Sequence, residues 1–135
     1  LVLRGMKHTC LIRADIRHLR CPPVFDLVVS NPPFYPKGWG RISDNPDTVS
    51  ATHALHGDVK DFVESAQRCL APHGRIVFIF DADRLSELLL ALACTDVRVK
   101  ELRFLYDDRQ RASRVMLMMA RGGGLIIDSR GQIKG

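Results

Sequence analysis

No apolar run in this chain could cross a bilayer as a helix. The longest, Leu88 to Cys94, is far below the roughly 20 residues a span needs, and no basic stretch leads into an apolar one at the start. Cys10, Cys21, Cys69 and Cys94 are widely separated and sit largely within apolar patterns. A disulfide scaffold is therefore not expected, and the thiols read as small hydrophobes in a reducing, cytoplasmic compartment. His53 and His56 have no matching cysteine pair, so no metal site is expected. Repeats and low-complexity tracts are absent. The only glycine cluster, Gly122-Gly123-Gly124, follows a strand pattern and precedes no helix pattern, which makes it a turn rather than a phosphate-binding loop.

What remains is the material of one α/β core. At 135 residues and 46% hydrophobic, the chain can bury a single core. Asp58 to Leu70 sets Val59, Phe62, Val63, Ala66 and Leu70 on one helical face. Arg75 to Phe80 reads as a buried strand. Asp81 or Asp83 can cap a second helix that turns Leu85, Leu88, Leu89 and Leu92 inward. Val97 to Tyr106 and Arg114 to Ala120 then form a hairpin around Asp107-Asp108-Arg109-Gln110. Between Tyr35 and Gly57 the chain is long, polar and rich in Gly, Pro and Asp, as in a functional or disordered loop.

The most informative segment is Phe25 to Phe34. Leu27-Val28-Val29 has the unbroken β-branched character of a strand buried on both faces, and Pro32-Pro33 cannot continue a sheet because neither residue has a ladder N–H. The strand should therefore end at Asn31. Ligands of open α/β sheets bind at the carboxyl ends of strands. There Asn31 offers an amide oxygen, Pro32 a carbonyl directed by a locked φ, and Phe34 a flat apolar face. Two acceptors gripping the hydrogens of a conjugated NH₂ group draw its nitrogen toward a tetrahedral geometry and expose its lone pair. No strong base is needed before attack on an activated methyl group, so catalysis would be mainly positioning and electrostatic preorganisation. The plain alternative is a buried strand ending in an Asx-Pro turn.

Ser30-Asn31-Pro32-Pro33-Phe34 resembles motif IV, (D/N)-P-P-(Y/F), of the S-adenosylmethionine-dependent amino methyltransferases, which act on adenine N6, guanine N2 or the glutamine side-chain amide. The resemblance runs from Thr9 to about Gly123. Ile12 to Arg17 looks like the family's third strand, and the resemblance assigns Asp15 to the adenine amino group of the cofactor. Ala51-Thr52-His53-Ala54 stands where the tRNA adenine-N6 branch carries Ala-Arg-His-Glu, with two residues different. Gln67 to Arg75 is similar to the joint before the family's fifth strand, Leu102 to Tyr106 to its sixth, and Ala112 to Met119 with Arg121-Gly122-Gly123 to its last. These matches point to the branch that modifies a valine tRNA beside the anticodon.

The resemblance implies a fold: the C-terminal part of a Rossmann-like class I methyltransferase, with a mostly parallel sheet and an antiparallel C-terminal hairpin. Residues 1–135 would be a single partial domain. The family's Gly-rich cofactor loop is missing from it, and the start at Leu1 reads as a fragment or a truncation product. By the same resemblance Asn31, Pro32, Pro33 and Phe34 would be catalytic, Asp15 and Asn31 would meet S-adenosyl-L-methionine, and the partner would be RNA, with tRNA foremost.

A net charge of +5 and a pI near 9.3 suit a polyanion. Arg98, Lys100, Arg103, Arg109, Arg111 and Arg114 are either a solvated basic face or a contact to the RNA backbone, with Arg109 and Arg111 the favoured pair. Tyr35 could stack a base or cover the core, and Trp39 suits the covering role. In the family's strand order residues 9 to 14 have no neighbour within this chain, and the strand from Phe25 to Ser30 loses one partner. That edge calls for a larger parent protein or a homo-oligomer to cover it. Methylation of guanine N2 or of a protein glutamine is the alternative reaction, and a non-catalytic remnant binding RNA or a partner is the alternative class.

Overall fold

The computed structural model describes residues 9–32 and 58–123, with the backbones of 126–127 and 133–134. Its strands are β1 (Phe25–Ser30), β2 (Leu70–Asp81), β3 (Val97–Tyr106) and β4 (Ala112–Arg121), with a small separate pair, β5 (Ile126–Ile127) and β6 (Ile133–Lys134). Helix α1 (Val59–Cys69) precedes β2, and a 3₁₀ turn (Ala82–Arg84) leads into α2 (Leu85–Ala93). The four-stranded sheet has the order β1-β2-β4-β3. The β1–β2 pairing is parallel and the β2–β4 and β3–β4 pairings are antiparallel, so the described sheet is mixed.

Local chemistry sets the elements. Asp58 caps α1 by accepting from the Lys60 N–H, and Asp61 reaches back to accept from the Asp58 N–H at 2.7 Å. Such reciprocal caps stabilise a helix start by about 1 kcal/mol. Val59, Val63 and Ala66 share its buried face, as the spacing predicts. Leu70, expected to extend the helix, instead opens β2 and is fully buried. The helix end is held from far along the chain, because the Arg121 guanidinium donates to the carbonyls of Gln67, Leu70 and Ala71 at 2.9–3.0 Å and to Asp96 at 3.0 Å.

Period-two alternation puts Ile76, Phe78 and Phe80 of β2 on one face, opposite Met119, Leu117 and Val115 of β4. These six side chains are buried, and the helices add Val59, Val63, Ala66, Leu88 and Leu92 to the same core. Leu89, expected inward, is exposed. The Asp107 side chain accepts from the N–H groups of Arg109 and Arg111, both at 2.9 Å, and closes the hairpin with Gln110 in the left-handed region. Gly122 and Gly123 follow β4 with φ near +65°, a conformation glycine adopts without strain, and form the expected turn.

Three expectations need correction. Leu27-Val28-Val29 is not buried on both faces: Leu27 and Val29 are 56% and 63% exposed. The run is apolar enough for two covered faces, but β1 is the sheet edge and no described helix lies on that side. Ile12 to Arg17 is not a strand. Residues 9–15 are irregular and Ile16–His18 form a turn, because no described strand offers this segment a ladder, and Leu11 and Ile12 remain exposed. Finally, Cys10 and Cys94 are exposed rather than part of an apolar pattern.

Candidate active site

Topology gathers Asn31, Pro32, Arg109 and Arg111 at one end of the sheet. β1 and β2 are parallel, and β3 runs in the same direction because both β2 and β3 are antiparallel to β4. The exit of β1, the exit of β2 and the β3–β4 turn therefore share one edge. Asn31-Pro32 follows β1 there, Asp81 to Asp83 follows β2, and Arg109 and Arg111 sit on the turn. β1 and β4 lie about 10 Å apart across β2, two interstrand spacings.

Asn31 is exposed and Pro32 is buried. Nothing among the described residues hydrogen-bonds the Asn31 side chain, and Pro32 is buried as the strand ends. Pro33, Phe34, Tyr35, Trp39 and the Ala51-Thr52-His53-Ala54 segment lie outside the described residues.

Asp15 sits in the irregular segment before β1. The Arg17 N–H and Nε each donate to its Oδ1 at 2.9 Å, and Nε also reaches Oδ2 at 3.1 Å. This guanidinium, together with the backbone N–H of Arg17, holds the Asp15 carboxyl well below the usual carboxylate range. Asp15 is thus a fixed anion with both oxygens already engaged. A carboxylate has about four lone-pair sites, so an amino group can still be accepted beside Arg17.

The basic residues are less available than their number suggests. Arg111 donates to Asp83 at 2.7 Å, Arg114 pairs with Asp81 at 3.8 Å, and Arg103 pairs with Glu101. Arg98 donates to the carbonyls of Thr95 and Val97, and Lys100 to that of Gly122. Among the described residues only Arg109 of this set has no side-chain partner. Sequence reasoning read Asp81 or Asp83 as the cap of the second helix; Asp81 instead caps the 3₁₀ turn, α2 begins without a side-chain cap, and both aspartates pair with arginines, which that reading missed. The signal was present in Asp81-Ala82-Asp83 itself, since one aspartate suffices for a cap.

The comparisons bear on this arrangement. A relative from Aeromonas salmonicida named "tRNA1(Val) (adenine(37)-N6)-methyltransferase" is 29% identical over 114 residues, covering 79% of this chain and 48% of the relative. The chain resembles this group of tRNA methyltransferases. Relatives of the same name from Tolumonas auensis and Glaesserella parasuis are 35% and 33% identical over 85 and 79 residues, covering 62% and 58% of this chain and 33% and 32% of those proteins. The chain spans about half or less of the length of the curated relatives it matches. A crystal structure of a predicted O-methyltransferase from Agrobacterium tumefaciens superposes with a TM-score of 0.57 at 17% identity, over 82% of this chain and 46% of that one. The fold is therefore part of a Rossmann-like methyltransferase domain. No family model matches the chain.

Proposed function

We propose that residues 1–135 form the substrate side of a cytoplasmic S-adenosylmethionine-dependent N-methyltransferase that acts on adenine N6 of a tRNA. The supporting observation is the exposed Asn31, whose side chain bonds no other described residue, beside buried Pro32 at the sheet end that also carries Arg109 and Arg111, in a chain similar to tRNA adenine-N6 methyltransferases. Asn31 Oδ1 and the Pro32 carbonyl accept from the two hydrogens of the target amine, and Phe34 stacks on its ring. S-adenosylmethionine, when bound, supplies an electrophilic methyl group. Asp15, kept ionised by Arg17, accepts from an adenine amino group, and the proton lost by the amine leaves to solvent. The family's Gly-rich cofactor loop has no counterpart among these 135 residues.

The division is testable. By calorimetric titration the 135-residue chain should bind S-adenosylmethionine weakly or not at all. Micromolar binding would show that these residues build a complete cofactor site, and the division would be wrong.

The arginines carry a second test. Phosphate contacts by Arg109 and Arg111 should each add about 0.7–0.9 to the slope of log affinity against log salt. Arg109→Ala should remove most of its share, whereas Arg111→Ala should remove less because Asp83 competes for that guanidinium. tRNA binding across a salt series reads both. Parallel lines of equal affinity would mean that these arginines only solvate the surface.

A further inference from the structure

The arginines at the β3–β4 turn do not stand on a basic patch. Asp81 and Asp83 after β2, and Asp107 and Asp108 in the turn itself, share this sheet end with Arg109, Arg111 and Arg114, so the net charge of +5 is not expressed here. One ion pair is built into the ladder. Asp81 lies directly opposite Arg114 across β2 and β4, and their charged groups come within 3.8 Å. The other is closer and joins two elements: the Arg111 guanidinium donates to Asp83 at 2.7 Å, with both side chains about two-thirds exposed. Its partners are anchored through their backbones. Asp81 accepts from the Asp83 N–H at 3.4 Å as it caps the 3₁₀ turn, and Asp107 accepts from the Arg111 N–H at 2.9 Å.

We propose that Asp83 is the residue that limits RNA affinity at this sheet end, because it occupies Arg111 as a backbone phosphate otherwise would; the inference rests on the RNA reading above. Carboxylate and phosphate oxygens make the same charge-assisted bond to a guanidinium, so the two compete for one donor group. Binding is then an exchange. Arg109, with no side-chain partner among the described residues, takes a phosphate at no loss, whereas the neighbouring phosphate reaches Arg111 only by displacing Asp83. Arg114 gives up less, since 3.8 Å from Asp81 is beyond hydrogen-bond distance. Once displaced, Asp83 stays beside the RNA backbone, where its charge opposes the phosphates and retains a cation that binding would otherwise release. Both effects weaken the complex without any change of fold.

The experiment measures binding of an unmodified tRNA transcript by the full 135-residue chain across a salt series, for wild type, Asp83→Asn, Arg111→Ala and the two changes combined. Asp83→Asn should tighten binding about two- to fivefold, the strength of an exposed ion pair, and steepen the slope of log affinity against log salt by up to about 0.9. Asp108→Asn controls for bare charge. It removes a carboxylate from the same sheet end that bonds no arginine side chain among the described residues. In the Arg111→Ala background the gain from Asp83→Asn should shrink to the level of that control. An equal gain from Asp108→Asn in the wild type, or a gain from Asp83→Asn that persists in full without Arg111, would overturn the proposal. Unchanged affinity in Asp83→Asn, while Arg109→Ala weakens binding, would overturn it too and leave the RNA reading intact. If Arg109→Ala and Arg111→Ala both bind as the wild type does, the RNA reading of this sheet end fails and the role of Asp83 fails with it.

Discussion

Phe78→Ala should lower the unfolding free energy of the chain by about 3–5 kcal/mol. Phe78 is fully buried on β2, between Ser30 of β1 and Leu117 of β4. Truncation there opens a cavity that three strands and two helices border, and paired strands cannot collapse to fill it. Domains of this size have only about 5–15 kcal/mol in total. The midpoint in urea should therefore fall sharply with little change in slope. Tyr106→Ala is the control: its side chain is 64% exposed at the end of β3, and the change should stay within about 0.5 kcal/mol. Comparable losses in the two variants would mean that the core is not where the register puts it.

If the proposed function holds, Asn31→Ala should reduce methyl-transfer turnover on the order of 10²–10³, the usual cost of losing one preorganised polar contact to a reacting group. The fold should tolerate it, since Asn31 is exposed and bonds no other described residue. Affinity for S-adenosylmethionine should change far less than turnover, because in the proposed site the amide oxygen grips the target amine. Single-turnover methylation of unmodified tRNA separates the chemical step from binding. A variant that transfers methyl groups at near wild-type rate would make Asn31-Pro32 a strand terminator and nothing more.

Much of the fold was legible because its signals are local. Helix α1, strand β4 and the polar turn at Asp107 each announce themselves within a dozen residues and fall within one or two residues of the observed bounds, whereas β2 begins at Leu70, ahead of the expected Arg75. Asn31 was legible for the same reason, since two prolines after an apolar run leave the strand nowhere to go. Two things were not. The irregular course of residues 9–15 depends on which strands lie beside them, which the segment itself cannot encode. The pairing of Arg111 with Asp83 joins positions 28 residues apart.

The Arg121 clamp has a consequence for the order of folding. Its three carbonyl acceptors lie 50 to 54 residues earlier in the chain, at the junction of α1 and β2. The guanidinium cannot reach them until β4 has closed on β2, and ordering so long an intervening chain costs entropy before any contact repays it. The helix can form early under its own cap, but its C-terminal joint matures only with the last long strand. A ribosome that has not yet released Arg121 thus holds a chain whose helix end is unfinished, however well its start is made.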